Sequence, residues 1–134
     1  MEMEIVFPGG KKVHSKYKGF VVETDQPRSE GGDGSAPEPY DLLFSALGTC
    51  VGVNVLYFCE SRNISTENIK VSMTVDKNEK THLAEKIGIR IQLPDTFPEK
   101  YRSAVKRVAD LCAVKRTFSS PPEISLILEG DVSE

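Results

Sequence analysis

One stretch of the sequence, Pro39–Cys59, constrains the fold more than any other, because it is the longest apolar run in the chain. No residue up to Arg62 breaks a helix outright, Pro39 suits a first helical turn, and Asn63 offers a stop. The sequence therefore predicts a helix over 39–62, about 36 Å long at about 1.5 Å per residue. Apolar side chains lie nearly all round it, which is typical of a helix buried in protein.

Length and charge narrow the classes of protein that fit. A chain of 134 residues with no internal repeat predicts one domain over 1–134. A formal net charge of -3 without a basic stripe argues against a nucleic acid or an anionic membrane as partner. The amino terminus has no cationic stretch followed by an apolar one, and three cysteines are too few for a disulfide scaffold. We therefore expect a cytoplasmic protein with free thiols.

The central apolar run is not expected to span a membrane. It is interrupted by Asp41, Ser45, Thr49 and Asn54, and it falls short of about 20 clean apolar residues.

The segments on either side of the helix predict an α+β fold. Alternating or apolar runs predict strands at 4–7, 12–18, 20–24, 69–75, 86–93 and 123–129. The first three are expected to form an antiparallel meander, and 69–75 and 86–93 a hairpin in which each strand has its apolar residues on one face. A second helix is expected after Pro94, with Thr96 and Glu99 spaced as in a capping box, and it runs to Cys112. Residues 25–38 carry almost no apolar side chain, and a loop of that length in a compact domain is often functional.

The three cysteines differ in what they can pair with. Cys50 and Cys59 are nine positions apart, which on a helix is about 13.5 Å and about half a turn out of phase. Bridged cysteines need Cα atoms within about 7 Å, so these two cannot bond within one chain, and Cys59 is read as a core residue. Cys112 closes the second helix, and two buried helices could bring it to Cys50 as a reversible thiol pair. From spacing alone, two core cysteines remain the simpler reading.

Metal binding is not indicated. The two histidines, His14 and His82, lie in separate strand and loop settings, and no Cys-x-x-Cys or His/Cys cluster has the spacing of zinc ligands. A Cys–His catalytic pair is not favoured by any feature of the sequence.

Two motifs resemble the OsmC/Ohr family of thiol peroxidases, the osmotically inducible protein and the organic hydroperoxide reductases. The stretch 39–50, Pro-Tyr-Asp-Leu-Leu-Phe-Ser-Ala-Leu-Gly-Thr-Cys, is similar to the family's helix opening at its first cysteine. The stretch 112–118, Cys-Ala-Val-Lys-Arg-Thr-Phe, looks like the family's second cysteine motif, and the glycine-rich loop 31–37 also fits. The likeness extends from the Gly9-Gly10 turn to the last predicted strand.

The resemblance implies a fold and a mechanism. The fold is OsmC-like, with a long central helix packed against antiparallel sheets in an intertwined homodimer. Cys50 would attack an organic hydroperoxide, or hydrogen peroxide, and become a sulfenic acid, and Cys112 would condense with it to a disulfide. A dithiol, such as a lipoylated protein, would restore the thiols without any metal or flavin, in oxidative stress defence.

The family's reductases also supply a cation to the thiolate, and here the sequence departs from the pattern. Lys11 stands where the resemblance places an arginine, and Tyr40, ten residues before Cys50, replaces a glutamate. Lysine is a point charge that lacks arginine's rigid fork. Arg28 and Arg116 are the other candidate cations.

Leu43, Leu47 and Asn54 share the face of the helix that carries Cys50. One interpretation is ordinary helix packing. The other is an apolar pocket that favours an organic peroxide, with Asn54 hydrogen-bonded to the sulfur.

Two alternatives stand beside the peroxidase. A hot-dog thioesterase also wraps a sheet round a long helix, and Asp41 would be its carboxylate. The second alternative is a protein with the OsmC fold whose activity is lost or altered, because Tyr40 replaces the glutamate of the family pattern.

Overall fold

The computed structural model describes residues 1–130, and its elements follow the predicted α+β order. They are β1 (Glu4–Gly9), β2 (Lys12–Tyr17), β3 (Phe20–Thr24), a 3₁₀ turn (Arg28–Glu30), α1 (Pro39–Glu60), β4 (Lys70–Lys77), β5 (Ala84–Gln92), a second 3₁₀ turn (Glu99–Tyr101), α2 (Arg102–Asp110) and α3 (Ala113–Ser119). The chain divides into two compact units, one ending at Thr49 and one beginning at Cys50, so that α1 contributes to both.

The first unit contains the predicted antiparallel meander. β2 lies in the middle and pairs with β1 and β3, with Val6 opposite His14 and Ser15 opposite Val22. The β1–β2 turn is made by Gly9 and Gly10, both with positive φ, which glycine adopts without steric cost. The pairing expected for residues 4–24 is confirmed.

The polar loop after β3 is organised by one buried carboxylate, that of Asp25. Its oxygens accept hydrogen bonds from the backbone N–H groups of Gln26, Asp33 and Ser35, at 2.8, 3.2 and 3.1 Å, and from the Ser35 hydroxyl at 2.7 Å. The Ser35 hydroxyl and the backbone donors hold the pKa of Asp25 far below its usual range. Although the loop lacks an apolar core, this network gives it a defined structure.

α1 buries one face rather than its whole circumference. The buried stripe follows helical spacing and consists of Phe44, Leu47, Val51, Val55 and Phe58. Large apolar side chains on other faces stay exposed: Leu43, Val53, Leu56 and Tyr57. The expected burial all round the helix is therefore not achieved within one chain. By length and composition alone α1 could also cross a membrane, as could the core helices of many soluble proteins. Of its apolar 18-residue stretch, 33% is buried.

The second unit contains the predicted hairpin. β4 and β5 are antiparallel, with Met73 opposite Ile89 and Val75 opposite Ile87, so their apolar residues share one face as expected. The end of α1 is held in the same unit by aromatic packing. Phe58 and Tyr101 meet edge to face at 5.8 Å, and the Arg62 guanidinium stacks 3.8 Å above the Phe58 ring.

Two predictions about the carboxyl-terminal region are wrong. The second helix is not capped by Thr96 and ends slightly earlier than expected: Pro98 precedes the 3₁₀ turn without a side-chain cap, α2 ends at Asp110 rather than at Cys112, and a further helix, α3, follows. The strand expected over 123–129 is not formed, because the segment lies against no strand among residues 1–130. Its apolar side chains are instead among the most exposed in the chain, with Ile124 at 88% and Leu126 at 93%.

Candidate functional site: a pair of thiols

The second unit brings Cys50 and Cys112 into hydrogen-bond contact, both as free thiols. Cys50 lies in the middle of α1 and is half-buried, whereas Cys112 is fully buried. Cys112 is the N-cap residue of α3, with the extended backbone angles of φ -56° and ψ 128°. Because the chain breaks between α2 and α3, Cys112 caps α3 instead of lying inside a helix. The first N–H groups of α3 point toward Cys50.

Main-chain donors lower the pKa of Cys50 below its ordinary value. The N–H of Val114 has the largest effect, the Cys112 thiol follows, and the N–H of Ala113 adds to both, while burial opposes them. An N–H group stabilises the thiolate and not the thiol, so each bond shifts the equilibrium toward the charged form. Cys50 is therefore the more acidic of the two thiols.

Cys112 is shifted in the opposite direction. Burial raises its pKa most and the hydrogen bond to Cys50 raises it further, and the N–H groups of Lys115 and Val114 offset only part of this. Since the two thiols share a hydrogen bond and their pKa values are shifted in opposite directions, Cys50 loses its proton before Cys112 does.

Asn54 contributes to the placement of these groups, but not in the way the sequence suggested. Its side-chain Nδ2 donates to the backbone carbonyl of Val108 at 3.1 Å, near the end of α2, rather than to the Cys50 sulfur. Across the same break, the side chains of Asp110 and Lys115 form an ion pair that joins the end of α2 to α3.

The candidate cations have separate surroundings. The Cε atom of Lys11, in the β1–β2 turn, lies beside Gly31, and Arg28 Nε donates to the carbonyl of Asp33 at 3.5 Å, so both contact the polar loop of the first unit. Lys12 of β2, which the sequence did not single out, pairs with Asp33 of that loop at 2.6 Å. Arg116 is exposed on α3, and its guanidinium is not among the groups that shift the pKa of Cys50 in the described part of the chain. A role for any predicted cation at the thiolate stays a prediction.

The remaining candidates lie in the first unit. Leu47 is buried and Leu43 is 39% exposed, and their assignment to a substrate pocket stays a prediction. Tyr40 stacks edge to face on Phe44 at 4.8 Å, so an aromatic contact occupies the position where the resemblance places a glutamate.

The other titratable groups do not form a second centre. Cys59 is fully buried, and burial raises its pKa, which agrees with its expected place in the core. Over residues 1–130, no group of three or more His, Cys, Asp or Glu side chains could hold a metal ion.

The sequence pointed to the sulfurs of Cys50 and Cys112 but not to the groups that shift the pKa of Cys50. Those groups are the backbone N–H donors of Ala113 and Val114, which any residue type supplies, so no side-chain motif reports them. The usable signal was the placement of Cys112 at the end of a helix, where a break leaves N–H groups unsatisfied.

The fold and the site define a class: an α+β protein in which a long helix and a broken helix bring two distant cysteines together. Within that class the chain belongs to the OsmC-like protein family, whose model matches residues 32–127. The thioesterase alternative required a hot-dog fold, and the fold is OsmC-like.

Solved structures show the same fold at low sequence identity. An osmotic stress induced and detoxification response protein of Psychrobacter arcticus 273-4 is 18% identical, with a TM-score of 0.72 over 86% of this chain and 85% of that one. An OsmC-like protein of Mycoplasma pneumoniae is 13% identical, with a TM-score of 0.70 over 90% and 87%. An organic hydroperoxide resistance protein of Legionella pneumophila is 17% identical, with a TM-score of 0.55 over 88% and 89%. No curated protein matches the chain in sequence.

Proposed function

We propose that the protein is a cysteine-based peroxidase that reduces organic hydroperoxides, and hydrogen peroxide as a lesser substrate, in oxidative stress defence in the cytoplasm. The observation that carries the proposal is the hydrogen-bonded pair of Cys50 and Cys112, whose pKa values are shifted in opposite directions. Membership of the OsmC-like family supports it, as does a structural neighbour named for organic hydroperoxide resistance.

In the first step the Cys50 thiolate attacks the outer oxygen of the hydroperoxide. A sulfur–oxygen bond forms and the oxygen–oxygen bond breaks, so that sulfur loses two electrons and the peroxide gains them. The alkoxide leaves with a proton from solvent as the alcohol, and Cys50 becomes a sulfenic acid. The lowered pKa of Cys50 supports this role, because the thiolate and not the thiol is the nucleophile.

In the second step Cys112 attacks the Cys50 sulfur. The sulfur–sulfur bond forms, the sulfur–oxygen bond of the sulfenic acid breaks, and hydroxide takes the Cys112 proton and leaves as water. The two residues are in contact before any oxidation, so no large movement is needed. An external dithiol then returns two electrons and two protons through a mixed disulfide, and we propose a lipoylated protein for this part.

We also propose that the protein acts as a homodimer. Val53, Leu56 and Tyr57 leave part of α1 uncovered within one chain, and the apolar segment 124–128 has no strand beside it among residues 1–130. Apolar area of this kind favours association, and a second copy of the chain offers the same unpaired surfaces in return.

The decisive experiment treats the reduced protein with one equivalent of cumene hydroperoxide and maps its products by mass spectrometry. We expect a Cys50–Cys112 disulfide in the wild type, a trapped Cys50 sulfenic acid in Cys112→Ser, and no peroxide consumption in Cys50→Ser. Cys59→Ser is the matched control and should behave as the wild type. Unmodified Cys50, or equal rates with Cys50→Ser, would mean an OsmC-fold protein that has lost or altered this activity.

A further inference from the structure

We propose that Asn54 is a positioning residue for the thiol pair: its side-chain amide fixes the end of α2 against α1 and so holds Cys112 and the first N–H groups of α3 on Cys50. The inference rests on the proposed function for its biological meaning. The position of the two sulfurs relative to each other is tested without peroxide.

Asn54 lies on the same side of α1 as Cys50. The two residues are four positions apart, which is about 6 Å along the axis and close to one full turn. From the half-buried Asn54, Nδ2 donates to the carbonyl of Val108 at 3.1 Å, across 54 positions of sequence. The same carbonyl accepts the N–H of Leu111 at 3.1 Å, so the amide occupies its second lone pair.

These contacts link Cys50 back to itself through α1, α2 and the helix break. The chain runs from Cys50 along α1 to Asn54, crosses by the hydrogen bond to Val108, and continues through the helix break to Cys112, which contacts Cys50 again. Inside the break, the N–H of Leu111 is bonded to Val108 of α2, and the carbonyl of Cys112 accepts the N–H of Arg116 in α3 at 3.0 Å. Cys112 is thus tied to the ends of α2 and α3, and its distance from Cys50 depends on how the end of α2 is anchored on α1.

The neighbouring ion pair connects a different pair of elements. Asp110 and Lys115 join the end of α2 to α3, and this ion pair does not fix either helix to α1. Both side chains are largely exposed, at 66% and 47%, where such pairs contribute little. The Asn54 bond connects the break to the helix that carries Cys50, which is the relation that matters for the two sulfurs.

Loss of the Asn54 bond has two separable consequences. The N–H groups of Val114 and Ala113 would lose their alignment with Cys50, and hydrogen bonds weaken steeply with distance and angle. Cys112 would also spend less time in reach of the Cys50 sulfur. A purely structural role predicts neither effect, only a lower melting temperature.

The test uses Asn54→Leu, which keeps similar bulk and removes the donor without adding charge, in the full-length chain. Two quantities are measured: the pH midpoint of Cys50 alkylation by iodoacetamide, and the Cys50–Cys112 disulfide equilibrium in a glutathione buffer. We expect the midpoint to rise and the disulfide equilibrium constant to fall by about tenfold, the factor of one net hydrogen bond. Asn54→Gln keeps a donor amide and should lie closer to the wild type in both.

Ser61→Ala is the matched control, since it removes another side-chain hydrogen bond at the carboxyl end of α1, from Ser61 Oγ to the Phe58 carbonyl at 3.0 Å. It should leave both quantities unchanged. If Asn54→Leu does not fold, Asn54→Ala removes the donor without bulk and gives the same two measurements. A wild-type midpoint and equilibrium in a folded variant would overturn the proposal. Because neither measurement uses peroxide, a wild type inert to peroxide would contradict only the proposed function.

Discussion

Cys112 donates its thiol hydrogen to Cys50, and that single bond shifts the two sulfurs in opposite directions. It lowers the pKa of Cys50, in concert with the N–H of Val114, and raises the pKa of Cys112, in concert with burial. This asymmetry supports the proposed roles of Cys50 as the nucleophile and of Cys112 as the resolving residue. Exposure follows the same order, because Cys50 is half-buried and Cys112 is fully buried.

The first prediction concerns the pH dependence of alkylation. Cys50 should react with iodoacetamide with a midpoint below about 8.5, the ordinary thiol value, and Cys112 with one above it. Cys112→Ala removes one of the hydrogen bonds that lower the pKa of Cys50, so the alkylation midpoint of Cys50 should rise in this variant. The N–H donors should still keep that midpoint below the value of a free cysteine. The measurement is the alkylation rate from pH 5 to 10, resolved by residue with mass spectrometry. A Cys50 midpoint at or above the free-thiol value would contradict this account.

How far the sequence predicts this molecule depends on the kind of interaction. The apolar run of α1 and the alternation of β4 and β5 predict those elements, because side-chain periodicity is visible in the residues themselves. The helix α3 after Cys112 was not foreseen, because the two residues that separate it from α2, Leu111 and Cys112, include no glycine or proline. The strand over 123–129 was predicted from its pattern and is wrong for the single chain, because a strand also needs a neighbouring edge.

The second prediction concerns Asp25 and the stability of the polar loop. The pKa of Asp25 in the folded protein lies below its unfolded value of 3.8, so its stabilising contribution is complete above that pH. The contribution is lost as the pH falls through the lower folded pKa. Asp25→Asn replaces an acceptor with a donor that faces N–H groups, so it should lower the melting temperature at pH 7.

The pH dependence separates Asp25 from general acid effects. The melting temperatures of the wild type and Asp25→Asn should differ most toward neutral pH and approach each other as the pH falls below 3.8, toward the lower folded pKa of Asp25. Asp76→Asn, at an exposed strand position opposite Lys86, is the control and should change little at any pH. Equal losses at low and neutral pH would show that the charge of Asp25 does not stabilise the loop.

The third prediction compares two glycines. A Cβ atom at Gly32 would overlap the backbone carbonyl of Gln26, and backbone cannot move aside cheaply, so Gly32→Ala should destabilise the protein strongly. Gly52 lies inside α1 with open space around it, so Gly52→Ala should raise the free energy of unfolding by about 1 kcal/mol through helix propensity. Urea denaturation of the two variants measures both effects. A neutral Gly32→Ala would contradict the close approach of the loop backbone.

The fourth prediction concerns the proposed homodimer. Leu56 and Tyr57 are 37% and 63% exposed in one chain, although they lie in the last turns of α1, the main helix. If a second copy covers this surface, Leu56→Ala should weaken association by about threefold to sixfold, since only the exposed third of the side chain is left to bury and burying a whole leucine is worth about 1.5–3 kcal/mol. Sedimentation velocity across a concentration series measures the change. Glu60→Gln, also exposed on α1, removes no apolar area and should leave the dimer intact. A wild type that sediments as a monomer at all concentrations, with Leu56→Ala indistinguishable from it, would leave the exposed apolar surface of α1 without the partner that we propose.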